Sequence, residues 1–121
     1  MVLEVAILNL RPGSSEAFEA AFAEARSILA ASPGHRRHEL RRCVEAADRY
    51  LLLVWWDSLE HHTEGFRRSA GYERWRELLH RFYEPFPTVE HYVDVPGARS
   101  LTQDCRAKAR APRRADGKAR D

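Results

Sequence analysis

Lysine is missing from residues 1–98, cysteine occurs twice, methionine once, and no apolar run approaches the roughly 20 residues needed to span a bilayer. No membrane association is therefore expected. The opening MVLEVAILNLRPG has no basic leader and is interrupted by Glu4 and Asn9, a pattern unlike a secretory signal. Cys43 and Cys105 stand in no CxxC or metal-ligand spacing, so neither a disulfide framework nor a thiolate metal site is expected. GxGxxG, GxSxG and HExxH are all absent, and with them the usual nucleotide, nucleophile-elbow and zinc signatures. Adjacent His61 and His62 would point about 100° apart on a helix. His35 and His38, three apart on a strand, would face opposite sides of it. Neither pair suggests a metal site. The expectation is a cytoplasmic protein that uses no cofactor.

Charge of one sign is scarce in one place only. Residues 1–98 carry 12 Arg against 15 carboxylates, whereas residues 99–121 carry eight Lys and Arg against three Asp. Leu101 is the one large apolar side chain of that tail, which offers too little surface to offset its ordering entropy. Residues 98–121 are thus expected to be a disordered basic tail. No aromatic is interleaved with its charges to stack on bases, so nucleic acid is not an expected partner.

What is present fits one domain over residues 1–97. Of 121 residues, 44% are hydrophobic and 12 are aromatic, enough for a real core. Leu3–Leu10 is apolar on both alternating faces, with Leu3, Val5 and Ile7 on one side and Ala6, Leu8 and Leu10 on the other. Only Glu4 and Asn9 break it. Ser14 or Ser15 then offers a hydroxyl to start a helix. Phe18, Ala21, Phe22, Ala25, Ile28 and Leu29 lay one stripe along it, up to Ser32-Pro33-Gly34. His35–Val44 is polar and reads as an edge strand. Arg49–Trp56 is apolar on both faces and reads as a central one. A second helix is expected from near Leu59, broken at Ser69-Ala70-Gly71, and ended by Pro85 and Pro87. Thr88–Val95 is the last strand.

The order β-α-β-β-α-β predicts a ferredoxin-like α+β fold with strands 1 and 3 central. Right-handed crossovers put both helices on one face. The other face of the central strands is also apolar, and a second copy of the sheet would cover it. A homodimer is expected.

The PGSSEAFEAAF opening, the SPG turn and RYLLLVWWDSLEHHTEGFRRSAGYERW together resemble the antibiotic-biosynthesis monooxygenase family over residues 2–95. The resemblance implies a dimeric α+β barrel with a small pocket between sheet and helices. It also implies chemistry such as cofactor-free oxygenation of aromatics and quinols, processing of autoinducers or degradation of haem. Arg76 stands where haem-degrading members place a ligand His, and Ala6 where they place an Asn, so haem handling is disfavoured. Phe66 stands where other members place a His.

Cofactor-free oxygenation needs a base, donors for an enolate and an apolar chamber open to oxygen. Histidine suits the base because it titrates near neutrality. His62 and then His61 are the expected bases, His62 because it shares a helix face with Phe66. His80 lies farther along the same helix. Trp55 and Trp56 must point to opposite faces, so one should reach the pocket. Asn9, Trp55, Trp56, Phe66, Trp75 and His80 are the expected substrate contacts. Core packing is the alternative for the tryptophans, and an exposed helix face for His61 and His62. The expected function is a cofactor-independent monooxygenase acting on a small aromatic or quinol-like substrate with molecular oxygen. The alternative is a non-catalytic dimeric module that binds a small molecule.

Overall fold

A computed structural model describes residues 1–100. Most of the tail expected to be disordered lies outside the described residues. Four strands, β1 (Val2–Asn9), β2 (His35–Arg42), β3 (Arg49–Trp56) and β4 (Val89–Tyr92), form one antiparallel sheet in the order β2-β3-β1-β4. The two strands that are apolar on both faces are the central pair, as predicted. Helix α1 (Ser15–Ala30) and helix α2 (Ala70–Leu79) pack together over one face.

Side-chain alternation decides which face is which. Tyr50, Leu52, Val54 and Trp56 of β3 and Glu4, Ala6 and Leu8 of β1 are buried beneath the helices. Leu51, Leu53 and Trp55 face the open side half-buried, and Ile7 lies there 52% exposed. Phe18, Phe22, Ala25 and Leu29 form the buried stripe of α1, joined by the partly buried Ala21 and Ile28. This is the expected periodicity.

Local details differ from expectation where backbone groups have competing partners. Ser14 Oγ donates to the Arg11 carbonyl and Ser15 Oγ to Asp48, so neither caps α1 with its side chain. His35 and His38 meet, ring nitrogens 3.0 Å apart, because an irregularity between His35 and Arg37 shifts the register of β2. The second helix begins as a six-residue π-helix, His61–Phe66, and restarts as α2, where Ser69 Oγ accepts from the Tyr72 amide at 3.1 Å. Gly71 eases a close approach there: a Cβ would lie 3.0 Å from Ile28 Cγ2, where α1 and α2 come together. The helix stops at Leu79, before the prolines. After a short turn the backbone is taken up by the end of β1, with Arg11 N–H donating to Phe82 and Glu84 N–H to Asn9.

Candidate functional site

Between the helix face of the sheet and α2 lies a cavity of about 310 Å³. Its walls include Ala6, Leu8, Leu52 and Val54 from the central strands, with Phe66 and Trp75 from the helical side. Its polar lining consists of Glu4, His62, Arg67, Tyr72, His80 and Tyr83.

Glu4 is 7% exposed on a strand face otherwise made of Ala6 and Leu8. A carboxylate there needs partners. Trp56, fully buried behind the cavity, donates Nε1–H to Glu4 Oε1 at 2.9 Å. His62 Nε2 stands 3.4 Å from the same oxygen. Burial raises the Glu4 pKa above its usual 4.5, opposed by the Trp56 hydrogen bond and the Arg67 charge.

His62 is 3% exposed, stacked on Trp56 with ring centroids 5.4 Å apart and planes 18° apart. The π-helix turns both His62 and Phe66 inward, their rings 6.3 Å apart. On its other edge, His62 Nδ1 lies 2.8 Å from His91 Nε2. Register explains the encounter: His91 pairs with Glu4 across β1 and β4, so the two side chains share the helix face. Burial, then the charge of Arg67 and the neighbouring His91, lower the His62 pKa to about 3. A histidine titrating near neutrality is thus not what this position provides. The ring stays neutral, and burial shifts the Glu4 carboxyl beside it upward from its usual range.

Burial also lowers the pKa of His80, with Arg76 adding, and raises that of Tyr83, with Tyr72 and Glu4 adding. The Tyr83 phenol therefore remains an O–H donor across the physiological range. Neutral imidazole, buried carboxyl, phenol and guanidinium on one apolar chamber can move a proton and stabilise a developing oxyanion.

Of the sequence-predicted residues, the cavity gathers His62, Phe66, Trp75 and His80, with Trp56 holding Glu4 from behind. Trp75 also packs edge-on against Phe22 and Phe66, so core packing and cavity wall coincide in one ring. Three others lie elsewhere. His61 turns away, its Nδ1 2.8 Å from Ser58 Oγ and its ring against Gly34, where a Cβ would collide with His61 Cγ and φ is +85°. Trp55 points to the open face beneath the Arg37 guanidinium, 3.9 Å from its ring centroid. Asn9 sits at the far end of β1, its Oδ1 accepting from Arg49 Nε at 3.0 Å. Glu4, Arg67 and His91 are not among the site residues expected from the sequence. The signal for Glu4 was present: it alone is charged on the inner face of a central strand. Among the described residues, no three His, Cys, Asp or Glu side chains are grouped to hold a metal, and no helix is long and apolar enough to cross a membrane.

Comparison with known proteins gives this geometry a family. Residues 1–78 match the antibiotic biosynthesis monooxygenase family. A Bacillus subtilis protein of uncharacterized function, YczJ, is 52% identical over 95 residues, covering 78% of this chain and all of that one. The crystal structure of a candidate antibiotic biosynthesis monooxygenase from Bordetella bronchiseptica superposes with a TM-score of 0.75 at 34% identity, over 78% of this chain and 96% of that one. SnoaB, a cofactor-independent oxygenase from Streptomyces nogalater, shares the fold with a TM-score of 0.66 at 21% identity, over 82% and 97% of the two chains. The chain belongs to the antibiotic biosynthesis monooxygenase family.

Proposed function

We propose that this family member is a cofactor-independent monooxygenase acting on a small aromatic or quinol-like substrate held in the helix–sheet cavity. One observation carries the reading: a mainly apolar cavity of about 310 Å³ has a buried carboxyl and a neutral imidazole 3.4 Å apart in its lining. A cavity of this size supports a bound small molecule, and a non-catalytic dimeric binding module of the same fold is the alternative. The description of SnoaB as a cofactor-independent oxygenase supports the oxygenase chemistry.

The reaction balances without an added reductant. With an anthrone-type substrate, an activated methylene loses a proton to the base, and the carbanion passes one electron to oxygen. The carbon radical and superoxide join, and protonation gives a hydroperoxide, which sheds water and leaves a carbonyl. One oxygen atom stays on carbon; the other leaves as water with the two substrate hydrogens. Tyr83 and Arg67 would stabilise the enolate oxygen as charge develops.

We further propose that the protein acts as a homodimer joined through the open sheet face. A cytoplasmic setting suits the free, half-buried Cys43. The test is oxygen uptake with anthrones, quinols and catechols under chelating conditions. His62→Ala should lower turnover by roughly 10²–10⁴-fold, the usual span for a lost acid–base group. A rate abolished by chelation and restored by metal would overturn the reading.

A further inference from the structure

Three side chains form a continuous line from the cavity to the protein surface. Glu4 lines the cavity, His62 Nε2 stands 3.4 Å from its Oε1, and His62 Nδ1 stands 2.8 Å from His91 Nε2. His91 is half-buried on β4, an edge strand of the sheet among the described residues. Two neutral imidazoles with facing nitrogens at 2.8 Å must have a proton on one and a lone pair on the other. Either direction of that bond satisfies both rings, so the bond can reverse. We propose that Glu4 is the group that takes the substrate's proton, and that His62 and His91 form a relay exchanging that proton with solvent.

The groups around Glu4 suit this assignment. From β3, the Trp56 N–H donates to Oε1, the same oxygen that His62 Nε2 faces. From the segment after the π-helix, Arg67 favours a negative charge on Glu4 and a neutral state on both imidazoles. From α2 and the turn that follows, Tyr72 and Tyr83 bring hydroxyls, not charges. A raised carboxyl takes up a proton near neutrality better than a free one, whereas His62, lowered to about 3, is a poor place for the proton to rest. A relay does not require it to rest. The proton enters His62 at Nε2 as another leaves from Nδ1 to His91 Nε2, and His91 releases one from Nδ1 to water. Each ring gains one proton and loses one, and the Glu4 carboxylate is regenerated.

Glu4 as acceptor rests on the monooxygenase reading, but the relay can be measured without turnover. In the full chain, ¹⁵N resonances of His62 should remain those of a neutral ring from neutral pH down to the acid limit of folding. Glu4→Gln should displace the Nε2 resonance, and His91→Phe the Nδ1 resonance. Below the pH at which Glu4 ionises, its carboxyl stretch reports hydrogen–deuterium exchange by infrared spectroscopy. His91→Phe should slow that exchange by about tenfold or more, as loss of one hydrogen-bonded step implies. An unchanged exchange rate, or a His62 that titrates as a free imidazole, overturns the relay. An inactive protein whose Glu4 exchange still depends on His91 supports the relay and removes the monooxygenase reading. An active protein whose turnover survives Glu4→Gln overturns Glu4 as the acceptor and leaves that reading standing.

Discussion

His62 and Glu4 should leave opposite marks on acid stability, and His62→Phe against Glu4→Gln separates them. His62 has a pKa of about 3 in the folded protein against 6.5 when free. Below 6.5 the unfolded chain binds a proton that the native state refuses, so stability is full above that pH and is lost as pH falls towards 3. At about 1.4 kcal/mol per pH unit, the ceiling on that loss is roughly 5 kcal/mol. Glu4 has the opposite sign. Its folded pKa lies above 4.5, so its contribution is present below that value and is lost as pH rises through the folded pKa. His35, His38, His80 and His91 are also lowered by burial and add to the His62 slope. Phenylalanine at 62 keeps a ring on Trp56 and removes the titration; glutamine at 4 keeps an acceptor for the Trp56 N–H. Urea midpoints followed by tryptophan fluorescence across the acid range should show a flatter slope for His62→Phe and a steeper one for Glu4→Gln. If His62→Phe kept the wild-type slope between 6.5 and 3, the buried neutral imidazole would be refuted.

Leu51 faces the open side of β3 between Ile7 of β1 and Arg41 of β2, so Leu51→Arg should place an uncompensated charge in the proposed dimer contact and cost several kcal/mol there. Sedimentation should show the wild type as a dimer and the variant as a 14.0 kDa monomer; a monomeric wild type would sink the dimer. Ser69→Ala removes the acceptor for the Tyr72 amide and should lower stability by about 1 kcal/mol. The urea midpoint should fall with an unchanged slope, and no fall would mean that the α2 restart needs no side-chain cap.

The central strands were legible because burial and alternation make the same demand, whereas β4 spans only Val89–Tyr92 of the expected Thr88–Val95. Arg49–Trp56 is bounded as expected, and two-faced apolarity picked out β1 and β3 as the central pair. Helix ends were less legible, since serine hydroxyls and the residues after Leu79 have partners distant in sequence. Asp48 is 33 residues from Ser15, and Asn9 is 75 from the Glu84 amide it accepts. The opposed faces expected of His35 and His38 failed for a related reason. A strict period of two assumes an unbroken register, and the irregularity after His35 breaks it.

The candidate site was legible by residue type but not by state. Helical spacing to Phe66 favoured His62 over His61, and the structure turns His62 inward and His61 towards Ser58 and Gly34. Its chemistry could not be read the same way, because a histidine's pKa depends on what surrounds the ring. Trp56, His91 and Glu4 come from three different strands and meet His62 only through the register of the sheet. Glu4 shows the converse. One carboxylate on the inner face of a central apolar strand is costly to keep unless something uses or pairs it, and that cost is visible in the sequence alone. In this fold, the polar residue that breaks the pattern of the central strand marks the cavity more directly than the histidines do.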